Sequence, residues 1–323
     1  MESPEVKEIL DQFKTLRALV VGDLCLDRWC RYDSALSDPS RETGIPRVAV
    51  VATEITPGAG GTVASNLAAL GAARVDVLGV IGDDGFGLEL HRALEARRIG
   101  AELLARAPGL ATFTYTKLIN AQTGREDLPR VDFVYGAPVP DLSATLERIA
   151  LNYDVILVAD QAETADAGVI TPTMRQTLAQ IAATQPEIVI WVDSRVRAEH
   201  FRGVVLKTNR FEAVAASRRV LGRIDFLRLR EHTASPLLVV TRGAVGAMII
   251  DARGPTLVSA RRIANPIDIC GAGDSFSAAA ALALRVTRDP ITAARIGNLA
   301  ASITVMKPGT GTATPAEILA ADC

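Results

Sequence analysis

The chain is poor in lysine, cysteine and histidine, and each shortage excludes a class of function. Its lysines are Lys7, Lys14, Lys117, Lys207 and Lys307, and none stands in a GxxxxGK[ST] pattern, so a P-loop nucleotide site is excluded. The cysteines (Cys25, Cys30, Cys270, Cys323) form no CxxC pair, and the histidines (His91, His200, His232) lack metal-ligand spacing. Free thiols in a reducing compartment are expected. No GxSxG elbow occurs, which weakens a hydrolase reading. No apolar run reaches the length of a membrane span, and the charged, helical-looking residues 1–15 have no signal-peptide core. A cytoplasmic location with no membrane partner is expected. A net charge of −2 gives no electrostatic case for binding nucleic acid.

What is present is an alternation of short apolar runs with longer helical patterns. Residues 17–22 (RALVVG), 75–81, 154–159 (DVILVA), 187–192 (EIVIWV), 204–207 and 236–241 (PLLVVT) read as buried strands. Residues 62–70, 86–97 and about 168–183 read as helices between them. This order predicts an α/β fold, a mostly parallel sheet with helices on both faces. Two stretches break the pattern. Residues 28–55 and 111–135 alternate polar with apolar positions, as in Thr112-Phe113-Thr114-Tyr115-Thr116-Lys117, and suit half-exposed antiparallel strands. They predict a small β lid.

The segment Asp268-Ile269-Cys270-Gly271-Ala272-Gly273-Asp274 runs into a small-residue helix over 275–284. Two glycines flanking an alanine bring bare N–H groups to a ligand, and a helix starting there adds its own free donors and positive dipole end. A carboxylate in such a nest repels an anion unless it has work of its own. Asp274 fits a base that takes a proton from a hydroxyl while the nest holds a transferring phosphoryl group. The alternative is a Gly-rich turn whose Asp caps the helix.

Asn209-Arg210-Phe211-Glu212 follows directly on a strand, at the edge where ligands bind in open α/β sheets. Its amide and carboxylate suit Mg²⁺ held through water, or else a helix N-cap with a first-turn Glu. Thr241-Arg242-Gly243 and Gly246 form a turn after another strand, suited to triphosphate contact. Gly58 to Gly61 opens the helix that carries Asn66, where backbone and polar groups can meet a polyol, or else it simply terminates a lid strand.

Together these motifs resemble the ribokinase superfamily, the PfkB-type carbohydrate kinases, from Gly22-Asp23…Asp27-Arg28 to Lys307-Pro308-Gly309-Thr310. Within it the chain looks most like the heptose-phosphate kinase branch found in ADP-heptose synthase, through Gly22-Asp23…Asp27-Arg28, 66–72, Thr116-Lys117 and Arg130-Val131-Asp132-Phe133. The chain ends soon after the kinase region, so the nucleotidyltransferase half of that enzyme is not expected in it.

The resemblance implies a doubly wound, ribokinase-like kinase domain over 1–323, with the lid from roughly 28–55 and 111–135 inserted in it. It implies ATP and Mg²⁺ as cofactors and a sugar or sugar phosphate as acceptor. Asp274 would be the base, with the Gly271, Ala272 and Gly273 amides as the anion hole. Asn209 and Glu212 would organise Mg²⁺ and the phosphates. Thr241, Arg242, Gly243 and Gly246 would line the nucleotide side, with Asn298 near the adenine. Asp27, Gly58, Thr62 and Asn66 would form the acceptor side. A monovalent cation near Asp268 and a homodimer through the lid are further expectations from the family.

Several positions depart from the family pattern. Ile269 replaces a small or hydroxylated residue. Gly58-Ala59 stands where relatives carry Gly-Gly, and Thr62 where they carry Asn. Leu118 replaces an Arg of the heptose-kinase lid, and Gln161-Ala162-Glu163 follows Asp160 where a Tyr and a Lys are usual. A phosphate dianion prefers Arg or Lys forks. Arg41, Arg47 and Arg125 are the candidates to compensate. The alternatives are a kinase for another polyol or nucleoside, and a non-catalytic ligand-binding relative.

Overall fold

A computed structural model describes residues 3–134, 138–163 and 168–322. Met1, Tyr135 and Cys323, which figure in the sequence reading, lie outside the described residues. Along the chain the elements are α1 (Ser3–Phe13), β1 (Arg17–Gly22), β2 (Leu24–Tyr32), β3 (Val50–Ala59), α2 (Gly60–Ala69), β4 (Arg74–Gly82), α3 (Gly85–Glu95) and β5 (Leu104–Ala107). Then come β6 (Thr114–Asn120), β7 (Val131–Phe133), α4 (Ser143–Ile149), β8 (Val155–Asp160), α5 (Pro172–Thr184), β9 (Val189–Ser194), β10 (Val205–Asn209), α6 (Arg210–Leu221) and α7 (Phe226–His232). The last third holds β11 (Leu238–Thr241), β12 (Ala247–Asp251), β13 (Gly254–Val258), α8 (Ala272–Thr287), α9 (Pro290–Thr304) and α10 (Pro315–Asp322).

Nine strands form the main sheet in the order β13-β12-β11-β10-β9-β8-β1-β4-β5. From β5 to β11 all pairings are parallel, and β12 and β13 close the edge as an antiparallel hairpin. The continuous apolar runs follow from burial on both faces. Along β1, Ala18 and Val20 enter the core under α1, α2, α8 and α9, while Leu19 and Val21 enter the core under α4 to α7. Helix α8 is rich in alanine on its buried turns, Ala278 to Ala281 and Ala283. Such small side chains let it lie close to α9 and the sheet.

The four-stranded lid sheet has the order β3-β2-β6-β7. Its outer pairs are antiparallel, as half-exposed strands predict, and its central pair, β2 with β6, runs parallel. The lid strands leave and re-enter the core earlier and later than the polarity suggested. β2 starts at Leu24, one residue after β1, because its first residues are still buried in the core. β3 runs on to Ala59, where α2 begins. The lid thus springs from the carboxyl edge of the main sheet, beside the ends of β8, β9 and β10.

Candidate active site

The Asp268–Asp274 segment turns as its glycines allow. Gly271 is left-handed (φ 75°, ψ 0°) and precedes the first residue of α8. Asp268 fixes the loop from below. One carboxylate oxygen accepts from the Cys270 N–H at 2.9 Å, and the other accepts from the Gly309 N–H at 3.2 Å. The Ala272 N–H is partly engaged with the Ile269 carbonyl at 3.3 Å. The N–H groups of Gly271, Gly273 and Asp274 make no such bond among the described residues. The free donors are therefore Gly271, Gly273 and Asp274, with Asp274 in place of the Ala272 expected from the sequence.

Asp274 lies in the first turn of α8 and lines a cavity of about 480 Å³ between the lid and the sheet edge. Burial pushes its carboxyl up to about 7, and Asp193 adds to the rise, against the pull of Lys207 and Arg195. Asp27, on β2, faces the same cavity. Burial raises it too, while a Cys25 thiol contact at 3.6 Å and the charges of Lys117 and Arg130 hold it down. Thr62 completes this group, with its methyl near Gly271 and its hydroxyl donating to the Pro57 carbonyl at 3.3 Å.

Two expected acceptor residues serve the walls instead of the cavity. A Cβ on Gly58 would come within 2.6 Å of the Asp27 carboxylate, so this glycine makes room for Asp27. Asn66 is buried inside α2 and donates to the Thr62 carbonyl at 2.9 Å. Arg41, Arg47 and Arg125 do not line the cavity, and Arg47 donates to the Leu36 carbonyl instead. The cations that do are Arg28, Lys117, Arg130 and Arg195. Arg28 lies over the Phe86 ring at 4.4 Å and Arg130 over Tyr115 at 4.3 Å. Arg195 pairs with Glu163 and Arg130 with Asp132, whereas Lys117 makes no ion pair among the described residues.

Beside the cavity, β10 and β11 end side by side, with Asn209 in register with Thr241. Asn209 and Glu212 form a capping box on α6: the Asn209 oxygen accepts from the Phe211 and Glu212 N–H groups, and one Glu212 oxygen accepts from the Asn209 N–H at 2.6 Å. Of the two functions read from the sequence, the N-cap is the one this geometry forms, and the box uses one Glu212 oxygen and the Asn209 side-chain oxygen. After β11 the turn is held by Arg242 N–H to Gly246 C=O at 2.8 Å. At Gly246 (φ +105°) a Cβ would strike the Val258 carbonyl at 2.2 Å, so only glycine fits. Asn298 lies further out, donating to the Val258 carbonyl at 3.1 Å and lining a small cleft with Ser259, Arg261, Arg295 and Asp322.

Sequence reasoning missed Lys207, Asp193 and Arg195. Lys207 is buried and donates to Asp193, and its ammonium would lie 3.0 Å from a Cβ on Gly273. Burial works against this ammonium, but Asp193 more than offsets it, with Glu212 and Asp274 adding to the rise. A lysine inside an apolar strand, and Arg195 just past the end of one, were the available signals. Three carboxylates, Asp193, Glu212 and Asp274, thus act on one ammonium, and the excess negative charge would suit a divalent cation. No cluster of three metal-ligating side chains occurs among the described residues.

Comparison with known proteins fits this arrangement. The pattern described as "pfkB family carbohydrate kinase" matches residues 17–317. The chain belongs to the PfkB family of carbohydrate kinases. Membership makes it an ATP-dependent carbohydrate kinase, a phosphotransferase with an alcohol group as acceptor. This PfkB chain is similar to the bifunctional protein HldE of Trichlorobacter lovleyi, with 32% identity over 99% of this chain. It spans 66% of that relative's length. In fold it resembles phosphofructokinase-2 from Escherichia coli, solved in complex with potassium (TM-score 0.72, 21% identity, 95% of this chain and 98% of that one). It also resembles Arabidopsis thaliana ribokinase, solved with ribose and ATP (TM-score 0.71, 18% identity, 95% and 99%). No helix among the described residues is long and apolar enough to cross a membrane.

Proposed function

We propose that this PfkB kinase transfers the γ-phosphoryl group of ATP to a hydroxyl of a phosphorylated sugar, with heptose 7-phosphate as the nearest named acceptor. The observation that carries this reading is one cavity containing Asp274, Asp27 and the cations Lys117, Arg130 and Arg195. Asp27 accepts hydrogen bonds from acceptor hydroxyls, and the lid cations hold the acceptor's phosphate. Asp274 takes the proton of the attacking hydroxyl. The Gly271, Gly273 and Asp274 amides and Lys207 meet the charge on the transferring group. Thr241, Arg242, Gly243 and Gly246 border the polyphosphate, and Asn298 the base. Asn209 and Glu212 would hold Mg²⁺ through water, and the ion would offset phosphate charge when bound. A monovalent cation beside Asp268 belongs to the same reading.

The lid closes over the acceptor and excludes water. Its open edges, β3 and β7, carry exposed Val50, Val51, Val131 and Phe133, and we propose that they pair with a second copy of the chain. A coupled assay with ATP and heptose 7-phosphate, fructose 6-phosphate and ribose tests the acceptor. Turnover confined to unphosphorylated sugars would overturn the phosphate reading.

A further inference from the structure

Asp23 is a fully buried carboxylate that takes no part in the transfer chemistry. It stands where β1 gives way to β2, at the root of the lid. Its N–H donates to the Ala159 carbonyl and its own carbonyl accepts from the Gly60 N–H, both at 2.9 Å. One residue thus ties the outgoing lid strand to β8 and to the first residue of α2, where β3 has just ended.

Its side chain reaches a third segment. One carboxylate oxygen accepts from the N–H groups of Gln161 (2.9 Å) and Ala162 (2.8 Å), and the other from Val169 (2.9 Å). Gly168 (φ +90°) packs so closely that a Cβ there would lie 2.6 Å from the carboxylate and 2.7 Å from the Ala162 methyl. A second charge grips the same residue: Arg197, paired with Asp160, donates to the Ala162 carbonyl at 2.6 Å. Burial pushes the Asp23 carboxyl up to about 6, with the three N–H donors acting against it and Asp160 adding to the rise.

The segment so held is a wall of the acceptor cavity. Gln161, Ala162 and Glu163 line it, and Glu163 bonds Arg195 at 2.8 Å. A buried carboxylate is costly unless its lone pairs are met, so its three N–H partners are fixed with it. We propose that Asp23 is a positioning residue for the acceptor, fixing residues 161–163 and through Glu163 the guanidinium of Arg195. This rests on the assignment of the cavity to a phosphorylated acceptor. Asp23 acts through backbone alone and lies on the acceptor side, so its loss changes acceptor binding without changing ATP binding.

Two variants approach the clamp from opposite sides. Asp23→Asn keeps one acceptor oxygen and turns an amide towards the N–H donors. Gly168→Ala leaves the charge of Asp23 in place and drives a methyl against it. In steady-state assays with heptose 7-phosphate, both should raise the acceptor KM by about tenfold or more, with the ATP KM held within about twofold. Amide hydrogen exchange of the wild-type protein should show slow exchange at Gln161, Ala162 and Val169, lost in either variant. A folded variant with an unchanged acceptor KM, or loop-like exchange at those three amides in the wild type, overturns the proposal. If the wild type phosphorylates no sugar, the kinase reading fails, and the exchange measurement still judges the clamp.

Discussion

Lys207 donates to Asp193 at 2.5 Å, across adjacent strands in register, and leaves Asp274 without a counter-ion of its own among the described residues. The ammonium is within electrostatic reach of Asp274 but is already committed, so burial and Asp193 keep the Asp274 carboxyl near neutrality. A base poised there is about half ionised near pH 7, and its ionised form is able to receive a proton. Asp274→Asn should therefore lower kcat by about 10²- to 10⁴-fold while an ATP analogue still binds. In the wild type, kcat/KM for the acceptor should fall as pH drops through about 7, because the protonated carboxyl cannot accept.

The same shift has a signature in stability. The folded carboxyl binds its proton more tightly than the unfolded one, so folding stability contributed by Asp274 is present below its unfolded value of 3.8 and is lost as pH rises through about 7. Asp274→Asn should raise Tm more at about pH 8 than at about pH 5. A gain of about 1 kcal/mol would register as roughly 2 °C in a chain of this size. An equal change at both pH values would place the carboxyl's ionisation outside the folded site.

Breaking the Lys207–Asp193 pair from one side leaves a buried charge alone. Lys207→Met should cost about 3–5 kcal/mol in denaturant unfolding, and adding Asp193→Asn should recover most of it. The double variant should still turn over slowly, because the ammonium facing the transferring group is gone. Recovery of both stability and kcat would assign the pair to structure alone.

Much of this arrangement could be read from residue order. β1 coincides with the apolar run at 17–22, since a strand buried on both faces needs no alternation. The Asp274 turn and the Asn209/Glu212 pair are local motifs, and their geometry is fixed within a few residues. What was hidden is convergence. Lys207 and Asp193 come from strands whose register sets their meeting, Arg195 follows directly on the second of them, and Lys117 and Arg130 reach the cavity only because β6 and β7 pair within the lid. The hairpin of β12 and β13 carries no motif and went unread. Ala59 was visible as a departure, but its backbone conformation was not.

That conformation (φ 51°, ψ −121°) is one glycine adopts freely and other residues adopt under strain. Ala59 also lines the acceptor cavity. Relief of about 1–3 kcal/mol of strain outweighs the roughly 0.4–1 kcal/mol that glycine costs through the unfolded chain. Ala59→Gly should therefore raise stability by about 1 kcal/mol, read by thermal or denaturant unfolding. A loss of stability would show that this backbone is unstrained.

Lys117 decides between charged and neutral acceptors. It lines the cavity without an ion pair among the described residues, whereas Arg130 and Arg195 each share a carboxylate. A hydrogen bond to a charged group is worth about 1.5–3 kcal/mol, or roughly 10- to 100-fold in binding. Lys117→Ala should raise KM for heptose 7-phosphate by that factor and leave the KM for a neutral sugar such as ribose nearly unchanged. Equal losses for both would mean that Lys117 supports Asp27, whose carboxyl it holds down, and would move the phosphate to Arg130 or Arg195.

The capping box allows metal binding to be separated from folding. One Glu212 oxygen accepts from the Asn209 N–H, and the other is outside the capping box. Glu212→Gln retains a capping oxygen but removes the charge, so stability should change little while the Mg²⁺ concentration for half-maximal activity rises. Asn209→Ala removes the N-cap itself and should cost about 1 kcal/mol as well as activity. If Glu212→Gln lost stability to the same extent and kept its Mg²⁺ response, the pair would serve only to start α6, and the cation would have to be sought at Asp193 and Asp274.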